Sequence, residues 1–286
     1  MFEFDSEKVD SRIFVVGCSR SGTTLLQTLI ASHPKITTFP ETHFFWKTVG
    51  RNYITKLITW MGLSTMREMG VLSAILKKFE LPHLGHRIPT QPIKYQECVE
   101  IYLSVLDEIA TNRDAKVAWV EKTPKHIFEV SWIMKYVPNA KIIHIVRDGR
   151  EVVSSIVKRS RDHPNQFKRQ GIRYASSLWN KTIKISQQYV GEKNNHILRY
   201  EDLVSNTHKV MTEVGNFLDL SYSNINFNKR EAAYTNAVKR SEPWKRNVAN
   251  KINNRNSKFD KIFTEKEKRY INKKLKSNVF YDFKNI

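Results

Sequence analysis

The sequence predicts an α/β fold of three layers, with a central parallel sheet of about five strands flanked by helices. Three observations predict it. Short runs rich in Ile, Val and aromatics alternate along the chain with segments of helical spacing, the pattern of βα units around a parallel sheet. One such unit, "RIFVVGCSRSGTT" over 12–24, runs from strand through a glycine turn into helix. A second, "IIHIVRDGREVVSS" over 142–155, does the same.

The strands are expected at "RIFVV" (12–16), "KITTF" (35–39), "KVAWV" (116–120), "KIIHIV" (141–146) and "HILRY" (196–200). After the first, Thr23 to Ser32 reads as a helix with Leu25, Leu26, Leu29 and Ile30 on one face, ended by His33-Pro34. Residues 54–78, "ITKLITWMGLSTMREMGVLSAILKK", are apolar and lightly basic. They admit two readings, a helical insert packing over the core or the substrate cleft and a segment lying on a membrane surface. Over 95–110, Val99, Tyr102, Leu106 and Ile109 form a helical stripe assigned to the core. Thr123-Pro124 is the cap and first residue of a helix running to about Tyr136, where "VPNAK" ends it. Past Asp148-Gly149, another helix carries Ser154 and Ser155 on its first turns. From about Asn226 the chain is crowded with Asn, Lys and Arg, although "TEKEKRYINKKLKSNVF" keeps helical spacing. There is no internal repeat, and 286 residues read as a single domain, with a helical insert at about 43–95 and a basic C-terminal segment from about 226.

Lys plus Arg number 48 against 28 Asp plus Glu, a formal charge of +20. Such a surface concentrates anions, so nucleotides, nucleic acid, sulfated or phosphorylated substrates and anionic membrane are the partner classes in play. Two cysteines, Cys18 and Cys98, make no disulfide framework. The N-terminal "MFEFDSEKVDSR" has no apolar stretch of the kind a signal peptide needs, and no run is long enough to span a bilayer. These features lead to the expectation of a soluble, cytoplasmic protein. No His/Cys/Asp cluster has zinc spacing, so no metal site is expected.

Two loops carry the chemistry. Gly17 and Gly22 sit at the spacing of a nucleotide-triphosphate loop, G-x-x-x-x-G-K-[ST], yet Thr23 replaces the lysine and a cation stands earlier as Arg20. Backbone amides at a helix N-terminus bind any phosphate. Lacking the lysine that reaches terminal phosphates, this loop suits a shorter anion, a 5′-phosphate bearing one transferable group, and the fold is P-loop-like in that sense. In the second loop Arg147 ends a buried strand, where open α/β sheets bind ligands. Its planar fork grips a phosphate through two hydrogen bonds, and Ser155, eight residues on, adds a hydroxyl. Taken alone, "VRDGR" also reads as a surface salt-bridge cluster.

Together the two loops resemble those of the sulfotransferases that use 3′-phosphoadenosine 5′-phosphosulfate (PAPS), in the branch that includes tyrosylprotein sulfotransferases and many bacterial enzymes. The resemblance covers roughly residues 12 to 205, is specific at the two phosphate motifs, and fades in the insert and the C-terminal third. It implies that Arg20, Ser21, Gly22, Thr23 and Thr24 receive the 5′-phosphosulfate and that Arg147 and Ser155 bind the 3′-phosphate. It sets Tyr200, in "LRYEDLV", close to the nucleoside, Lys122, in "VEKTPKH", at the transferring group, and Glu41, in "FPETHFF", as general base. Trp244 and Lys245, in "SEPWKR", match a late segment that closes over the cofactor. The cytosolic branch differs: it has lysine in place of Arg20, an aromatic in place of Leu25 and a histidine base. His43, two residues from Glu41 and on the same side of an extended segment, is therefore the alternative base.

The implied reaction is in-line transfer of a sulfuryl group from PAPS to an acceptor hydroxyl or amine, leaving adenosine 3′,5′-bisphosphate (PAP). Arg20 and Lys122 stabilise the leaving phosphate and Glu41 takes the acceptor proton. The acceptor stays open among small molecules, lipids, glycans and peptides, with Phe44, Phe45, Trp46, Trp60 and Trp179 available to line its pocket. Peripheral membrane contact and oligomeric state stay open too. Two rival functions remain. A P-loop-type nucleotide kinase or NTPase requires the missing lysine and a magnesium-binding Asp, for which Asp148 is the only substitute. A basic nucleic-acid or heparin-binding module would use the charge alone, and the chain has no recognition-helix, zinc-finger or aromatic single-strand motif, so no specific nucleic-acid partner is expected.

Overall fold

A computed structural model of the chain describes residues 9–49, 53–114, 117–167, 170–227, 230–238 and 258–276, with Phe280 and Phe283. Strand β1 (Ser11–Gly17) is the centre of a five-stranded parallel sheet. It pairs with β3 (Ala118–Lys122) on one side and β4 (Ala140–Val146) on the other; β2 (Ile36–Thr38) lies outside β3 and β5 (Asn195–Arg199) outside β4. All five expected strands are present, each within a few residues of its expected limits. Their near-continuous apolar runs follow from burial on both faces. Along β1, Phe14 and Val16 enter one core with Trp119 and Ile142, while Ile13 and Val15 enter the other with Val120, Ile143 and Ile145.

Helix α1 (Thr23–Ile30) follows β1 and is buried along its whole length. It stops short of Ser32, whose hydroxyl and amide both turn back onto the Leu29 carbonyl. The insert holds α2 (Phe44–Thr48), α3 (Tyr53–Trp60) and α4 (Met66–Lys78). Its two readings apply to different parts of it. Helix α4, started by a Thr65/Glu68 capping box, packs Met69, Leu72, Ile75 and Leu76 into the core, whereas α3 buries only Thr59. In α5 (Tyr95–Asp114) the stripe Val99, Tyr102, Leu106 and Ile109 is buried, as its spacing requires.

The segment after β3 departs from expectation. Thr123 does not cap a helix, because its hydroxyl donates to Glu121 Oε1 at 2.6 Å. The chain therefore runs as a 3-10 turn over Pro124–Glu129, and α6 (Val130–Tyr136) begins only after it. After β4, Asp148 caps α7 (Gly149–Asp162) by accepting from the Arg150 amide at 2.8 Å, and α8 (Ile172–Gln187) packs beside it. Beyond β5 come α9 (Tyr200–Ser205), α10 (Thr207–Leu218), α11 (Glu231–Ala237), α12 (Phe259–Ile262) and α13 (Glu265–Lys274). The helical spacing of the basic tail is realised in α13, whose Ile271 joins Trp179, Val152 and Ile156 in a third cluster against α7 and α8.

Candidate active site

Each strand delivers one of the expected residues at or just past its carboxyl end: β1 the loop 18–22, β2 Glu41, β3 Lys122, β4 Arg147 and β5 Tyr200. This is where a parallel sheet presents loops to ligands. Because β1 and β4 are neighbours, the two anion loops are neighbours as well.

The first loop turns through two left-handed residues, Arg20 at φ 77° and Gly22 at φ 95°. Gly22 is required twice over, since a Cβ there would lie 2.3 Å from Tyr200 Cδ2. The Tyr200 ring thus packs directly on the loop, and the Arg147 guanidinium sits 4.2 Å from the centre of the same ring. Arg147 Nη1 donates to the Arg20 carbonyl at 3.2 Å, Trp179 Nε1 donates to the Arg147 carbonyl at 2.9 Å, and Arg20 Nε donates to Ser155 Oγ at 3.1 Å. Two motifs far apart in sequence form one cluster. Ser21 Oγ and Arg147 Nε are buried with no hydrogen-bond partner among the described residues. Gly22, the N-cap of α1, has no side chain to cap it, and the first turn carries no acid. Buried donors without partners are costly, and phosphate oxygens are the acceptors they fit, so these residues suit the phosphates of a nucleotide.

A second cluster lies across the cleft. Lys122 Nζ, 1% exposed, donates to Glu41 Oε1, and Lys78 Nζ from α4 donates to the Glu41 carbonyl. His43 Nε2 is 3.5 Å from Glu41 Oε2. The two side chains do share a side, but for another reason than an extended backbone: His43 is left-handed at φ 58°, as it enters α2. Burial lowers the His43 pKa to about 4, with Glu41 and Glu121 opposing only in part, so its ring is neutral at pH 7. Beneath them Glu121, fully buried, accepts from the Thr42 amide (3.0 Å), the Thr42 hydroxyl (3.0 Å) and the Thr123 hydroxyl (2.6 Å), with His126 Nδ1 3.1 Å from its other oxygen. Burial pushes the Glu121 carboxyl up, but the attraction of His126 and these hydrogen bonds outweigh it and hold the group below the usual carboxylate range. This frame fixes the backbone that carries Glu41 and His43.

Between the clusters opens a cavity of about 300 Å³. Arg20, Thr23, Thr24, Glu41 and His43 line it. Ser21, Gly22, Lys122, Arg147, Ser155 and Tyr200 do not line it; Lys122 meets Glu41, Arg147 and Ser155 meet Arg20, and Tyr200 packs on Gly22 through the contacts above. Sequence reasoning missed Lys125, Arg159, Phe167, Gln170 and Tyr174, which join Ser19, Pro124, Ile156 and Leu178 in the rest of the lining. Arg159 stacks its guanidinium 4.0 Å over Phe167 and donates to Gln170 Oε1 at 3.1 Å. Its position one helical turn after Ser155 was the available clue. Of the aromatics considered for the acceptor, Phe44, Phe45 and Trp179 are core residues, Trp60 is on the surface, and Trp46 pairs with Lys125 at 4.9 Å. Trp244 and Lys245 lie outside the described residues. The Cys18 thiol, pushed up to about 12 by burial, is no nucleophile at neutral pH. Asp148, the substitute magnesium ligand of the kinase reading, is engaged by the Arg150 amide and guanidinium.

A family model described as "Sulfotransferase family" matches residues 12–224, which include both anion loops and all five strands. The chain belongs to the Sulfotransferase family. Among curated proteins it is 23% identical over 222 residues to "Protein-tyrosine sulfotransferase A" of Caenorhabditis elegans, covering 73% of this chain and 50% of that protein. It is 26% identical over 214 residues to the Drosophila melanogaster "Protein-tyrosine sulfotransferase", covering 74% and 38%. The chain thus spans about half the length, or less, of these relatives. The fold is shared with the sulfotransferase domain from the Synechococcus PCC 7002 olefin synthase (TM-score 0.60, 19% identity, 93% of this chain and 94% of that one). It is shared also with the sulfotransferase domain from the curacin biosynthetic pathway (TM-score 0.57, 19% identity, 93% and 97%). Within this sulfotransferase-family chain, residues 244 and 245 fall beyond the matched span.

Proposed function

We propose that the chain transfers a sulfuryl group from PAPS to a hydroxyl, or an amine, of an acceptor and releases PAP. One observation carries the reading: the loops ending β1 and β4 close on each other through Arg20–Ser155 and Arg147–Tyr200–Gly22, and the Glu41–Lys122 pair faces them across a single cavity. Arg20, Ser21, Gly22, Thr23 and Thr24 hold the 5′-phosphosulfate end, Arg147 and Ser155 the 3′-phosphate, and Tyr200 lies along the nucleoside. PAPS supplies the activated sulfuryl group. Lys122 keeps a buried positive charge beside the transfer path, and Arg20 adds a second at the loop. Glu41 accepts the acceptor's proton on a carboxylate oxygen. His43, neutral and 3.5 Å from Glu41, is the alternative acceptor of that proton.

Arg159, Lys125, Phe167 and Tyr174 form the acceptor's end of the cavity. The names of the curated relatives add peptide tyrosine to the acceptor classes to be assayed, and a phenol ring suits aromatic walls of this kind. Trp244 and Lys245 belong to the reading as residues that close over the nucleotide, on the strength of the sequence resemblance alone. A cytoplasmic setting is consistent with Cys18 and Cys98, both buried free thiols. No described helix is long and apolar enough to cross a membrane.

The test is ligand choice followed by transfer. PAP at 100 times its dissociation constant stabilises the fold by about 2.7 kcal/mol, while ATP with magnesium at the same concentration gives a much smaller shift in Tm. Labelled sulfate then passes from PAPS to an added acceptor. Equal Tm shifts from the two nucleotides would remove the case for a 3′-phosphate site.

A further inference from the structure

The face of α3 is inverted. At positions 53, 54, 57 and 60 it presents Tyr53, Ile54, Leu57 and Trp60, which fall on one helical stripe that Met61 extends just past the helix end, and all five are exposed, Tyr53 at 84% and Trp60 at 69%. The residue that α3 buries is Thr59. The apolar surface continues over Leu63 and Met66, both exposed, to a groove of about 610 Å³ that begins at Met66. An apolar patch of this extent marks an interaction surface.

Its charge selects the occupant. Between residues 53 and 78 the only acid is Glu68, buried in its capping box, while Lys56 and Lys77 are basic and exposed; Arg67 is turned onto the Lys47 and Val49 carbonyls and Lys78 onto that of Glu41. The whole chain carries +20. A second copy brought against this face would set like charge against like. An anionic lipid surface supplies what the patch lacks on both counts: acyl chains for the apolar stripe and headgroup charge for the lysines. Tyr53 and Trp60 are the residue types that settle at the headgroup boundary.

We propose that α3 is a peripheral membrane anchor, lying flat in the interface of an anionic bilayer with Ile54, Leu57 and Trp60 inserted. The next helix, α4, runs from the patch at Met66 to Lys78, which donates to the Glu41 carbonyl of the active site. The inference does not depend on which acceptor is sulfated.

The experiment is vesicle sedimentation at physiological salt, comparing vesicles of phosphatidylcholine alone with vesicles containing about one third phosphatidylserine. The native chain pellets with the anionic vesicles and stays in solution with the neutral ones. The Leu57→Ser/Trp60→Ser protein, whose PAP-induced Tm shift is unchanged, loses about tenfold or more in vesicle affinity. Native protein that fails to pellet with anionic vesicles overturns the proposal, as does a double variant that pellets as well as the native chain, since charge alone would then explain binding. A native dimer in sedimentation velocity that the two substitutions turn into a monomer assigns the patch to a second copy and equally overturns it.

Discussion

Glu41 is held at both ends: Lys78 takes its carbonyl, and Lys122 takes one carboxylate oxygen while the other faces His43. That division suits a base whose orientation is fixed and which keeps one oxygen toward the cavity. Glu41→Gln is therefore expected to lower turnover by about two orders of magnitude or more while leaving PAP affinity within a few-fold. His43→Ala is expected to retain most activity, because the proton passes to Glu41, whose position Lys122 and Lys78 hold without His43. Arg147→Ala does the opposite of Glu41→Gln and weakens PAP by about tenfold or more, through loss of a charge-assisted fork. Steady-state kinetics with PAP titrations on the three variants separates these outcomes; an inactive His43→Ala beside an active Glu41→Gln would transfer the role of base to His43. At this scale the loops were legible because a phosphate cradle is built from consecutive residues. Phe167 and Tyr174 were not, because they reach the cavity from the loop after α7 and from α8, and nothing local to either shows that they converge with Arg159, whose place one turn after Ser155 was the single local clue.

At the scale of elements, the strands were legible because burial on both faces demands continuous apolar runs, which β1 and β4 show. Helix α3 shows the limit of periodicity. An apolar stripe reveals that a face exists and is silent on what covers it, so α3 and the core-packed α4 read alike. The 3-10 turn over Pro124–Glu129 was hidden for another reason: Thr123 looks like a cap until Glu121, two residues earlier at the end of β3, claims its hydroxyl. Strand β4 also carries a polar residue in its core, and it has a measurable consequence. His144 is fully buried, beside Ser186 Oγ at 3.2 Å and Asn195 Oδ1 at 3.1 Å, and burial lowers its pKa to about 4 although the Asn195 hydrogen bond opposes this. The unfolded chain protonates this residue near pH 6.5 and the folded chain does not, so its contribution to stability is complete above pH 6.5 and is lost as pH falls toward 4. The full effect is about 3 kcal/mol. Denaturant titrations between those pH values are expected to show a stability slope that His144→Gln flattens; an unchanged slope in the variant would assign it to other groups, such as His43.

Over the whole molecule, the sequence shows that strands alternate with helices but not the order β2-β3-β1-β4-β5 in which the strands lie, and that order is what makes neighbours of the loops after β1 and β4. Long-range pairing is decided by packing between distant segments, which no window of sequence contains. Net charge, by contrast, is a global property that the sequence reports completely. A chain at +20 attracts a ligand such as PAP, which carries roughly three to four negative charges, from beyond contact distance. This attraction acts on the approach and is screened within about 10 Å at 0.1 M salt, whereas the hydrogen bonds from Arg147 and the loop act after docking and are screened far less. Raising salt from about 0.02 M to about 0.5 M is therefore expected to slow PAP association by about tenfold and to change dissociation much less. Stopped-flow binding with uncharged adenosine as the control measures both rates, and adenosine association should hardly respond to salt. If PAP association were equally indifferent, the charge would have no steering role at this site. It would then belong to some other surface, with the basic flank of α3 the first to test by the same salt series on vesicle binding.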